Sequence, residues 1–80
     1  MMKNGMKNKV KKYLKTLDKY QIKDLVKHPD LTKDEQWVIY YTFGEDRYVV
    51  NTCAKLYISE SKFYKIQDEA LIKLYYILQL

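Results

Sequence analysis

The sequence predicts an all-α fold: a small helical domain of four to five helices, with a helix-turn-helix at about 47–74 and a long C-terminal helix. Three observations lead there. Apolar residues recur at spacings of three and four through most of the chain, the period of one helix face. The 80 residues include 2 Gly and 1 Pro, too few turn formers for a sandwich or barrel of many short strands. The chain is 48% hydrophobic and 15% aromatic, enough to bury a core and unlike a disordered polypeptide. At this length one domain is expected over 1–80, with a basic helical segment at 6–27 and a helix-turn-helix core at 31–80.

The N-terminal region reads first as a short frayed tail over residues 1–5. Met6, Val10, Tyr13, Leu14 and Leu17 then form one amphipathic stripe, with lysines on the other faces. Ile22, Leu25 and Val26 do not continue that stripe; at ~100° per residue their centre is rotated by roughly 120°. A break is therefore expected near Lys19–Gln21, giving helices at about 6–19 and 21–27. Pro29 disfavours helical geometry at His28 and closes the region.

Leu31-Thr32-Lys33-Asp34-Glu35 is a strong helix start. Thr32 and Glu35 have the spacing of a capping box, and the two acids suit the positive end of the helix dipole. The helix is expected to run through Trp37, Val38, Ile39, Tyr41 and Phe43, with Gly44 as a left-handed C-cap. Trp37 is expected to be a core anchor rather than a stacking platform.

Residues 47–57 are ambiguous. Val49, Val50 and Thr52 are β-branched, but Val50, Cys53, Ala54 and Tyr57 recur at helical spacing, so a short helix is expected. Ser59 is a plausible N-cap for the last helix, with Glu60 in its first turn. Phe63, Ile66, Gln67, Ala70, Leu71, Leu74 and Leu78 form one side of that helix, which no Gly or Pro interrupts up to Leu80.

Charge is uneven. Residues 1–27 hold nine Lys and two Asp, a net of +7; residues 28–80 hold five Lys and Arg47 against eight acids, a net of −2. A basic segment on a slightly acidic body suits a polyanion such as nucleic acid, although a lysine-rich solvated face gives the same pattern.

The motif residues resemble the helix-turn-helix of bacterial sigma-factor region four and its phage-encoded relatives. The match begins with Leu31-Thr32-x-x-Glu35-x-x-Val38-Ile39 and Phe43-Gly44-Glu45. It resumes with Leu56-x-Ile58-Ser59 and Ala70-Leu71-x-Lys73-Leu74. Ser59 to Lys65, followed by Asp68-Glu69-Ala70-Leu71, is similar to the C-terminal end of the ArpU-type phage regulators of Gram-positive bacteria. The likeness covers about residues 31–78. It implies a phage or mobile-element transcription regulator that binds double-stranded DNA in the cytoplasm of a bacterial host, without catalysis or cofactor. The chain departs from the pattern at three places. Cys53 fills the small position where the two motif helices touch, Tyr57 replaces the turn glycine, and Tyr48 replaces the Ser or Thr that starts the first motif helix.

If the motif docks on DNA, the start of its last helix makes the contact. Ser61, Lys62, Tyr64 and Lys65 lie off the buried stripe or on its shoulder. Lys62 and Lys65 are then expected on phosphates or guanine, and Ser61 and Tyr64 on base edges or phosphates. Lys7, Lys9, Lys11, Lys12 and Lys15 would add phosphate contacts, offsetting Glu60, Asp68 and Glu69. The bland alternative is a solvated face on a C-terminal helix.

Ile72, Tyr75 and Tyr76 make the end of that helix apolar almost all round, so it needs cover on more than one side. A homodimer would supply it; wrapping by residues 6–27 is the other solution. A second function class also remains: a small protein-binding module acting on a host protein such as RNA polymerase, a repressor or a defence nuclease. The acidic motif half and the altered turn favour it. Enzyme chemistry is not expected, because Cys53 has no nearby His and sits at a buried helical position. A single Cys and a single His argue against a structural zinc site. No apolar run approaches the ~18–20 residues of a membrane span, and the basic N-terminus lacks the apolar stretch of a secretory signal.

Overall fold

A computed structural model describes residues 2–80, with side chains from Asn4 onward. Five helices follow one another: α1 (Met2–Leu14), α2 (Lys19–Leu25), α3 (Lys33–Ile39), α4 (Val49–Leu56) and α5 (Glu60–Leu78). No strand occurs among the described residues, so 47–57 resolves as helix. α3 runs directly into one π-helical turn, Tyr40–Gly44. No described helix is long and apolar enough to cross a membrane.

The break between the first two helices falls earlier than the hydrophobic stripe implies. α1 stops at Leu14, and the Thr16 hydroxyl donates to the Tyr13 carbonyl at 2.6 Å, so a side chain competes for a helix acceptor there. Asp18 and Gln21 then form a capping box that starts α2. Gln21 N–H donates to Asp18 Oδ1 and Asp18 N–H donates to Gln21 Oε1, both at 2.8 Å. The cap pattern Asp-x-x-Gln was readable, and it overrides the periodicity that carried the first helix to 19 and the second to 27. At the other end α1 reaches Met2, so residues 2–5 are helical rather than a tail; Met1 lies outside the described residues.

The Thr32–Glu35 box forms as its spacing implies. Thr32 N–H donates to Glu35 Oε1 at 2.8 Å, and Glu35 N–H donates to the Thr32 hydroxyl at 3.2 Å. The far end of this helix differs from expectation. Glu45 N–H reaches back to the Tyr40 carbonyl at 3.0 Å, five residues away, which inserts the π turn. Gly44 is not left-handed; the positive φ falls at Asp46, at 54°. Gly44 is small for a different reason. A Cβ there would lie 3.0 Å from the Tyr40 ring and 3.7 Å from Ile22 of α2.

Trp37 is likewise not a core residue; it is 45% exposed. Val38 and Ile39 take the interior positions of α3, and the indole, on another side of the same helix, is left at the surface.

Two buried clusters hold the helices. Val10 and Leu14 of α1 pack with Ile22, Val26, Leu31, Ile39, Ala70, Leu71 and Leu74. Each such aliphatic side chain contributes roughly 1.5–3 kcal/mol when fully buried. Residues 6–27 are therefore part of the core. The radius of gyration, 11.6 Å, agrees with the ~2.2·N^0.38 Å relation for a compact chain of this length, which leaves no room for an extended arm. The second cluster joins Val38, Cys53, Phe63 and Ile66 beneath the α4–α5 corner. Glu35 meets Lys73 late in α5, whereas Val38 meets Phe63 and Ile66 early in it. α3 and α5 therefore run antiparallel.

Candidate nucleic-acid interface

The α4–α5 corner is built from an uncapped start, a strained turn and a capped second helix. Tyr48 begins α4 with no side-chain hydrogen bond. Tyr57 ends it in the left-handed region (φ 58°, ψ 45°), and Ile58 N–H closes the turn on the Cys53 carbonyl at 3.1 Å. A non-glycine residue there carries about 1–2 kcal/mol of strain. Ile58 and Leu56 pack on the Val38–Phe63 cluster, so the corner is fixed by burial despite that strain. The Ser59 hydroxyl then accepts from Lys62 N–H at 3.1 Å and opens α5.

On the first turns of α5, Ser61, Lys62, Tyr64 and Lys65 are all exposed. Phe63 between them is fully buried, and the Tyr64 ring stands edge-on to it at 5.1 Å. Asp68, one turn further on, is paired with Lys7 of α1 at 3.2 Å. That pair lowers the local negative charge and leaves Glu60 and Glu69 as the exposed acids of this stretch.

The lysines of α1 and of the turn that follows it are divided. Lys9, Lys12 and Lys15 are exposed and Lys11 is half-buried. Lys7 is the one that touches α5.

The three aromatic or apolar residues near the end of α5 also separate. Ile72 and Tyr75 are half-buried, and Tyr75 packs on the α1–α5 core. Tyr76 is 67% exposed and lies edge-on to Tyr75 at 5.4 Å. Part of the cover that this helix needs therefore comes from α1.

A second constellation lies between α2, the π turn and α4. A cleft of about 330 Å³ is lined by Trp37, Tyr40 and Tyr41, with Lys23, Lys27, Arg47 and Lys55 around it. The Trp37 and Tyr41 rings are stacked, 5.4 Å apart and 17° from parallel. Arg47 and Lys55 sit 5.2 and 5.7 Å from the Tyr41 centroid, within cation–π range. Glu45 accepts from Arg47 Nε at 2.7 Å. That bond, together with one from the Tyr40 hydroxyl, holds the Glu45 carboxyl below its ordinary range; burial and the same carboxylate push the Tyr40 phenol up. The i, i+3, i+4 spacing of Trp37, Tyr40 and Tyr41 was visible in the sequence, but which face it occupies depends on the π turn.

Among the described residues no group of three or more His, Cys, Asp or Glu is placed to hold a metal ion. Cys53 is buried, and that burial pushes its thiol up, so it is protonated at neutral pH. No family model, no curated protein and no solved structure matches the chain.

Proposed function

We propose that the chain is a DNA-binding transcription regulator of a phage or mobile element, reading the major groove with the start of α5. The observation that carries this reading is the exposure of Ser61, Lys62, Tyr64 and Lys65 just beyond a tight corner, with Asp68 neutralised by Lys7. Short and long polar side chains on one convex helix start suit base edges and phosphates. Lys9, Lys12 and Lys15 add a phosphate-attracting face, and no cofactor or catalysis enters. A two-fold site would be met by a homodimer, for which Tyr76 is the exposed apolar contact.

The test is a gel-shift titration on pooled duplex fragments at several salt concentrations. Binding should weaken by about 0.9 log unit per decade of salt for each phosphate contact. Lys62→Glu with Lys65→Glu should abolish retention with helicity unchanged. Replacing Lys9, Lys12 and Lys15 with Gln should flatten the salt slope. Retention unaltered by the α5 pair rejects α5 as the reader.

One observation favours a protein partner instead. Val50 and Ala54 share a face of α4 and are exposed, with exposed Tyr48 and Tyr57 at its two ends. An apolar row on a motif helix is a surface that proteins bind. Failure to bind any duplex at low salt, at tens of micromolar protein, would favour that reading.

A further inference from the structure

We propose that the cleft between α2, the π turn and α4 binds a nucleobase carrying a phosphate, taken from a free nucleotide or from an unpaired stretch of nucleic acid. The inference is independent of the α5 surface and adds a second, single-nucleotide site.

The ligand class follows from the shape and chemistry of the cleft. Tyr41 is 8% exposed and covers one side of Trp37, which remains 45% exposed. The indole is therefore an open platform on a rigid backing. Tyr40 meets it edge-on at 6.4 Å and 74°, which makes a wall. A flat floor with one wall favours a planar ring, and every base has a π-face that can stack on it. The cleft volume, about 330 Å³, is at the small end of the ~300–1,000 Å³ range of ligand sites, so one nucleotide fits and a long ligand does not.

Charge then selects an anion. Lys23, Lys27, Arg47 and Lys55 line the cleft against one carboxylate, Glu45, which Arg47 already occupies at 2.7 Å. Lys27 has a further partner in Asp24 at 3.6 Å, but both are largely exposed and the pair is weak. An acidic peptide would satisfy the lysines and leave the stacked rings unused. The π turn that ends α3 carries Tyr40 and Tyr41 into the cleft.

Trp37 is the only tryptophan in the chain, so its fluorescence reports on this cleft alone. The full chain is titrated with adenosine monophosphate, an unstructured oligodeoxyadenylate, inorganic phosphate and an oligoglutamate peptide, with corrections for absorbance. Saturable quenching by the monophosphate and the oligonucleotide, but not by phosphate or the peptide, is the expected result. Quenching by the oligonucleotide alone assigns the source to single-stranded nucleic acid; comparable quenching by the monophosphate assigns it to free nucleotide. Lys23→Glu with Lys27→Glu should weaken the quenching on the order of ten-fold with helicity intact. Trp37→Ala should weaken oligonucleotide binding measured by calorimetry by a similar factor, as loss of one stacked base does. Lys62→Glu with Lys65→Glu should leave the quenching unchanged, which separates this site from the α5 surface.

No quenching by either nucleotide ligand at millimolar concentration overturns the proposal. So does equal quenching by the peptide, or an affinity unmoved by the α2 lysine pair.

Discussion

Lys73 Nζ lies 2.9 Å from Glu35 Oε1, joining α5 to the start of α3 across 38 positions of sequence. The same oxygen accepts from Thr32 N–H at 2.8 Å. The Glu35 side chain is only 5% exposed, whereas Lys73 is 40% exposed. One buried carboxylate thus caps a helix and docks a second helix against it. Removing the lysine leaves that charge buried without its counterion, which is the costly way to break such a pair. Lys73→Ala should destabilise the fold by about 1–3 kcal/mol in urea unfolding, below the full penalty because the ammonium is partly solvated. Glu35→Gln in the Lys73→Ala background should recover part of the loss, since the amide oxygen can still accept from Thr32 and no unpaired charge remains.

Tyr57 is 94% exposed and left-handed. Its ring is therefore almost entirely in water while its backbone carries strain. Tyr57→Gly should raise stability by about 1 kcal/mol, the strain released less the extra freedom of glycine in the unfolded chain. For a domain of this size that is a rise in Tm of about 4–8 °C, readable by circular dichroism. An unchanged or lower Tm would mean that the corner has relaxed differently around Tyr57.

Gly44 has a negative φ, so an alanine there meets no backbone objection and would ordinarily help. The Tyr40 ring decides otherwise: it meets Trp37 edge-on, and it lies 3.0 Å from where the new Cβ would sit. Gly44→Ala should destabilise by about 1–2 kcal/mol, as overpacking does. With Tyr40→Ala already in place the same change should become neutral or favourable, and a double-mutant cycle in urea measures that reversal.

The Glu45 carboxyl is held below its ordinary value first by the Arg47 hydrogen bond and then by the Tyr40 hydroxyl, against the opposing effect of burial. Its charged form is therefore favoured in the fold. The sign follows: this contribution is present above the ordinary carboxylate pKa and is lost as pH falls through the lowered value. Glu45→Gln should make stability less dependent on pH over the window from about pH 4.5 downward, with little change of slope near neutrality. Denaturant midpoints at stepped pH test this.

The local signals and the cooperative ones separate residue by residue. Thr32 with Glu35, and Ser59 with Lys62 N–H, formed the caps their spacing implied, because a cap is a contact over three residues and needs no distant partner. The stripe Phe63, Ile66, Gln67, Ala70, Leu71 and Leu74 is buried throughout, because a long uninterrupted helix keeps its period. Trp37 and Gly44 went the other way. Trp37 lies on the face of α3 that other helices leave uncovered, and Gly44 ends a π turn that packs against α2, α3 and α4. The exposure of Ser61, Lys62, Tyr64 and Lys65 was legible as the side opposite that stripe, whereas the aromatic cleft was not.

Composition, periodicity and cap spacing by themselves determine that this chain is all-helical, where α3 and α5 start, and which side of α5 is buried. Each of these is settled within a few turns of backbone. Only the tertiary structure decided that α1 belongs to the core, that Lys7 rather than its neighbours meets α5, and that Trp37 and Tyr41 stack in a lysine-lined cleft. Those outcomes depend on which helix faces compete for the same interior. That competition is decided by packing between residues far apart in sequence.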